Sequence, residues 1–122
     1  MGGRGTYAIG NNVNYNYQTI GKYNGVKILE GTGNRHGLPE ESHSSNMYLK
    51  LHPDGNLNML RIYDKNHYLT TEIAFHPEPK LTGHYNNVLH VHFYDKNFKR
   101  TNASYLPKEL FNKYKKYLKG MK

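Results

Sequence analysis

His90 and His92 stand two apart in the run Val88-Leu89-His90-Val91-His92-Phe93-Tyr94-Asp95. The run alternates with period two, the pattern of a half-buried strand, so both imidazoles point to one face. Imidazole exchanges a proton near neutral pH and is a common metal ligand. Two of them side by side suit acid–base catalysis or ligation. The plain alternative is a pair of solvent-facing histidines on a half-exposed strand.

Three chemistries compete for that face. Metal-independent RNA cleavage needs a base for the 2′-hydroxyl and an acid for the leaving 5′-oxygen. His90 and His92 supply both, with His76 and Glu72 as alternates. Arg61 and Lys50 would meet the charge that develops on phosphorus. A metal site would add His76 or Glu72 to the His-x-His pair. Only two of its ligands are set by local sequence, and the expectation is no metal and no cofactor. The third reading is a recognition surface rich in Tyr, Asn and Gly, without turnover. Gly31-Thr32-Gly33-Asn34 lacks the Gly-Lys-Ser/Thr of a phosphate loop.

The elements that must carry these residues follow from the same alternation. Strands are expected over 46–51, 57–63, 69–76 and 88–94, joined by turns at His52-Pro-Asp-Gly-Asn56 and Asp64-Lys-Asn66 and by a looser loop after Pro77. Val26–Glu30 is a short strand candidate, and Pro39-Glu40-Glu41-Ser42 a single helical turn. One face of the sheet collects Met47, Leu49, Leu51, Leu60, Ile62, Leu69, Ile73, Phe75, Leu89, Val91 and Phe93. The opposite, open face collects Tyr48, Lys50, Arg61, Tyr63, Glu72, His76, His90, His92 and Tyr94. After Pro107, Leu110, Phe111, Tyr114, Tyr117 and Leu118 recur at helical spacing, and Gly120 is a natural stop. The expected fold is therefore α+β, a four-stranded antiparallel meander sheet with one face covered by a C-terminal helix of three to four turns. Residues 1–25, rich in Gly, Asn and Tyr, read as a flexible arm, partly ordered as an edge strand, and 26–122 as a single α+β domain.

Composition sets the partner class. The chain has 122 residues, no cysteine and a 36% hydrophobic fraction in which twelve tyrosines are prominent. Disulfides and thiolate sites are excluded, and no apolar run approaches a membrane span. The formal net charge of +8 is carried by the last 27 residues, because residues 1–95 hold eight basic and eight acidic side chains. The basic stretch contains Lys99, Arg100, Lys113, Lys115, Lys116 and Lys119. Such a stretch favours RNA or another polyanion.

In order, the chain carries Met-Gly-Gly-Arg-Gly, Leu-Pro-Glu-Glu-Ser-His-Ser, Met47-Tyr48-Leu49-Lys50, Leu60-Arg61-Ile62-Tyr63-Asp64, His76-Pro77 and His90-Val91-His92 ahead of a helix. Over about residues 26–120 this resembles the small phage-encoded and polymorphic-toxin-like domains of the barnase–EndoU–colicin–RelE nuclease-like superfamily. The resemblance implies an antiparallel sheet with a packing helix, RNase activity, and His90, His92, His76 and Arg61 at the active site. The expectation is a bacteriophage RNA-directed nuclease of the host bacterial cytoplasm. Its alternative is a non-catalytic inhibitor of a host defence ribonucleoprotein, such as a CRISPR effector, docking through the basic C-terminal segment.

Overall fold

The computed structural model describes residues 17–31, 46–97 and 99–121. Its elements are β1 (Tyr17–Tyr23), β2 (Val26–Gly31), β3 (Met47–Leu51), β4 (Leu57–Tyr63), β5 (Leu69–Pro77), α1 (Pro79–Thr82), β6 (Asn87–Phe93), β7 (Ser104–Tyr105) and α2 (Lys108–Tyr114), followed by a 3₁₀ turn at Lys115–Tyr117. The strands lie side by side in chain order as one sheet, seven strands wide among the described residues. All neighbours are antiparallel except β2 and β3, which run parallel.

The fold therefore differs from the expected four-stranded antiparallel meander. The four central strands β3–β6 fall close to their expected bounds, but the sheet extends beyond them on both sides and is mixed. Residues 17–25, within the expected arm, form β1 at the edge of the sheet and the turn into β2. That turn is Asn24-Gly25, with φ of 50° and 85°, the left-handed pair that matches the twist of a tight hairpin. The parallel β2–β3 contact has no local signature, because its register, Lys27↔Tyr48 and Ile28↔Leu49, joins segments twenty residues apart. The expected turn at 31–34 lies largely, and the helical turn at 39–42 wholly, outside the described residues.

The core is a row of aliphatic side chains running across the strands. Ile28 faces Leu49, Leu49 faces Leu60, Leu60 faces Ile73 and Ile73 faces Val91. The last four are fully buried. Leu110, Phe111, Tyr114 and Tyr117 pack against this row, with Leu118 buried among them. Their segment is shorter than expected. It ends as a 3₁₀ turn in which the Leu118 amide donates to Lys115 O at 3.1 Å, tightening the last turn. Gly120, at φ 83°, then reverses the chain, and the Leu57 amide donates to Lys119 O at 2.9 Å.

A bulge shifts the assignment of faces. Between Ile62 and Tyr63 the β4–β5 register slips by a residue, so Tyr63 pairs with Leu69. A slip of one residue moves a side chain to the other face. Leu69, expected in the main core, instead joins Leu29, Tyr48 and Tyr63 in a second cluster, with Met59, Tyr68 and Tyr94 beside it. Tyr48 and Tyr63 meet edge to face, 5.4 Å between centroids. The expected polar face thus carries this apolar cluster as well, beside Arg61, Glu72, His90 and His92. No helix among the described residues is long and apolar enough to cross a membrane.

Leu60 sits at the middle of the core row. Leu60→Ala is expected to cost about 2–5 kcal/mol in urea unfolding. Ile20→Ala, at a site 56% exposed on β1, should change stability by no more than about 0.5 kcal/mol. Equal effects at the two sites would contradict this placement of the core.

Candidate functional site

Strand β6 pairs with β5 in unbroken register, with Ala74 opposite His90 and Glu72 opposite His92. The two imidazoles share a face, as the alternation predicts, but that face is not open here. His90 is 0% exposed and His92 3%. The side chain that closes over them is Glu78, which the sequence reading left in a loose loop. Glu78 follows the end of β5 and precedes α1. Its carbonyl accepts from the amides of Leu81 at 2.9 Å and Thr82 at 3.1 Å, which fixes its backbone. One carboxylate oxygen, Oε2, lies 3.8 Å from Nε2 of His90 and 3.8 Å from Nε2 of His92.

The other ring nitrogen of each histidine is engaged by backbone. His90 Nδ1 is 2.8 Å from Val88 O, and His92 Nδ1 is 2.8 Å from Thr101 O. A carbonyl only accepts, so each Nδ1 carries a proton and donates it. In the neutral ring that leaves Nε2 as a bare lone pair. Both Nε2 atoms are buried and make no hydrogen bond. The rings meet edge to face at 5.3 Å, and His76 lies edge-on to His90 at 4.8 Å. Burial, foremost, pushes the His76 pKa below its ordinary value; the Pro77 carbonyl opposes this and His90 adds to it.

A second charged group adjoins the first on the β4 side. Arg61 Nε donates to Glu72 Oε2 at 3.2 Å, and its Nη2 lies 3.1 Å from the same oxygen. Nη2 also donates to Tyr94 Oη at 3.4 Å. Burial opposes the guanidinium charge, yet the attraction of Glu72, Tyr94 and Tyr63 outweighs it and the Arg61 pKa is raised. Burial, then Glu72, raises the Tyr94 phenol, against the pull of Arg61 and Arg100. Lys50 is lowered by burial and by the Arg61 charge. Glu72, expected as an alternate acid–base group, and Arg61, expected to meet phosphate charge, are thus paired with one another, with Glu72 opposite His92.

Glu78 and His92 reach the wall of a cleft of about 610 Å³, which Lys80, Tyr85, Arg100 and Asn102 also line. Tyr85 is 81% exposed. Arg100 is brought there by an isolated bridge to Tyr94, so of the expected basic residues it is the one at the cleft. Lys113, Lys115, Lys116 and Lys119 belong to the segment that covers the aliphatic row, on the other side of the sheet from the histidines. Lys113 and Lys116 lie over the rings of Tyr114 and Tyr117, at 5.4 and 5.0 Å, and Lys119 over Tyr23 at 5.8 Å. Lys99 is exposed beside Arg100. No protein-family model, curated protein or solved structure matches the chain.

Arg61 and Glu72 form a buried pair, with side chains 14% and 3% exposed. Arg61→Met alone should destabilise by about 3–5 kcal/mol, because it strands a buried carboxylate. Arg61→Met with Glu72→Leu should recover most of that loss in urea unfolding. A double variant as unstable as the single would show that the pair itself is not the source of the effect.

Proposed function

We propose that the chain is an RNA-directed, nuclease-like protein that cleaves phosphodiester bonds in the cleft beside β6. The observation that carries the reading is the Glu78 carboxylate, equidistant from two buried imidazole lone pairs on the wall of a cleft that also presents Lys80 and Arg100. RNA can attack itself. The 2′-oxygen displaces the 5′-oxygen on the adjoining phosphorus once its proton is removed and the leaving oxygen is protonated.

Glu78 is the member of the group that solvent reaches, at 19% exposure, and it is the residue placed to touch substrate. His90 and His92 act behind it. The Glu78 carboxylate takes the 2′-proton as the 2′-oxygen bonds to phosphorus and gives a proton to the 5′-oxygen as its bond to phosphorus breaks, so that the carboxylate ends as it began. Arg100 and Lys80 would hold the phosphate and meet its developing charge. Tyr85 offers an exposed ring for base stacking, which tolerates any base. This scheme keeps His90 and His92 as central residues, moves His76 and Glu72 to supporting positions, and adds Glu78.

The test is cleavage of a fluorescent single-stranded RNA by the purified protein. Glu78→Gln is expected to slow the reaction by about 10²–10⁴-fold, and Arg100→Ala by roughly 10²-fold. Joint replacement of Lys113, Lys115 and Lys116 by Ala should leave the chemical step unchanged, because these lysines lie across the sheet from the cleft. Absence of cleavage by the unaltered chain, or full activity in Glu78→Gln, would refute the reading.

A further inference from the structure

The geometry points to a binding site for a divalent transition-metal ion of the zinc class, formed by Glu78 Oε2, His90 Nε2 and His92 Nε2. Among the described residues these three bring their ligand atoms within 4.8 Å of one another. The donor set is two imidazole nitrogens and one carboxylate oxygen, which suits zinc, cobalt or nickel. Magnesium and calcium prefer all-oxygen shells.

Three features show that the site is built, and is more than a chance meeting of polar side chains. The first is the tautomer. Each Nδ1–H is held by a backbone carbonyl at 2.8 Å, the outer-shell contact that metal-bound histidines characteristically make. It aims Nε2 inward and fixes its lone pair as the free one. The second is the orphaned atoms. Both Nε2 atoms are buried without a hydrogen bond, whereas buried polar atoms normally have a partner. A single ion between them and Glu78 satisfies both at once. The third is the spacing. Ligand atoms at about 2.0–2.1 Å from a tetrahedral ion stand roughly 3.3 Å apart. The two carboxylate contacts of 3.8 Å approach that value with a small rotation of Glu78, and the remaining ligand separation, within 4.8 Å, shortens as the imidazoles turn toward the ion.

Partnering leads to the same conclusion. Glu72 is matched by Arg61 at 3.1 Å, whereas Glu78 Oε2 stands 3.8 Å from each histidine Nε2, a gap that a bound ion would bridge. Protein ligands come from below the ion, and the side toward the cleft, where Glu78 and His92 reach the wall, stays open for a water or an exogenous donor. If the RNA-cleaving reading holds, an ion at this site takes the atoms that move protons, so zinc silences cleavage and a chelator restores it.

The experiment starts from the full chain stripped with a chelator and desalted. Titration with Co²⁺ is followed by its visible d–d absorption, and titration with Zn²⁺ by calorimetry, both without RNA. One equivalent is expected to bind, with Mg²⁺ silent at the same concentrations. His90→Ala and His92→Ala should each weaken binding by about 100-fold or more. Glu78→Gln, a change at a partly exposed side chain that leaves the buried rings in place, should weaken it by at least tenfold. His76→Ala and His84→Ala should bind as the unaltered chain does, and circular dichroism confirms that each variant is folded. No stoichiometric binding, or binding that survives both His90→Ala and Glu78→Gln, overturns the site. Metal binding by a protein that leaves RNA intact would sink the cleavage reading and keep the site. Cleavage without metal binding would do the reverse.

Discussion

The pairing of β5 with β6 is the constraint from which the rest of the polar half of the molecule follows. Its register runs without a bulge from Thr71↔Phe93 to Pro77↔Asn87. It sets Ala74, a side chain of one carbon, opposite His90, which leaves room for an imidazole to be buried completely. It sets Glu72 opposite His92, and so brings the Arg61–Glu72 pair against the histidine pair. It also fixes where β5 ends, and hence where the next residue, Glu78, turns back over the face. A slip of one residue would send both imidazoles into the aliphatic row and Val91 out of it. The main-core contacts of Ile73 and Val91 therefore stabilise the site's geometry as directly as any polar contact does.

That register also explains why two adjoining polar groups behave differently. Arg61 and Glu72 face one another with opposite formal charges, at 3.1–3.2 Å. Such a pair fixes geometry and contributes little net stability once its desolvation is counted. Glu78, His90 and His92 form the opposite arrangement. Their hydrogen bonds run outward, to Val88 and Thr101, and nothing among the described residues satisfies the inward-facing atoms. A protein that only needed to bury this strand would have placed aliphatic side chains there, as it did on the other face. Unsatisfied buried nitrogens are costly, and these two are a local exception to the pairing of buried polar atoms.

Much of this was legible in sequence wherever the pattern was local. The four central strands, the turns at Asp54-Gly55 and Asp64-Lys65, the common face of His90 and His92, and the apolar stripe from Leu110 to Leu118 all follow from periods of 2 and 3.6. The hairpin of β1 and β2 carried its own signal in Asn24-Gly25, which was obscured by the polar, tyrosine-rich composition around it. The parallel β2–β3 pairing and the bulge that moves Leu69 left no local trace. Glu78 was missed for a related reason. Strand alternation assigns faces only within strands, and Glu78 acts from a turn. The useful signal was its position one residue past the end of β5, where an acidic side chain followed by Pro79 is held in a fixed backbone conformation against the neighbouring strand.

The basic C-terminal segment shows the same limit from the other direction. Its charge was plain from composition, but its place was not. By covering the aliphatic row, α2 and the 3₁₀ turn put Lys113, Lys115 and Lys116 on the side of the sheet away from the histidines. A single short polyanion cannot engage both surfaces by lying flat on one of them. Arg100, from the start of the basic stretch, and Lys80, which lies outside it, are the cations that line the cleft with Glu78. Net charge is a property of the whole chain, whereas the cleft is lined by a few side chains whose placement depends on β6 and its two flanking connections. The strands that build the core also decide which of the many cations stand beside Glu78 and His92.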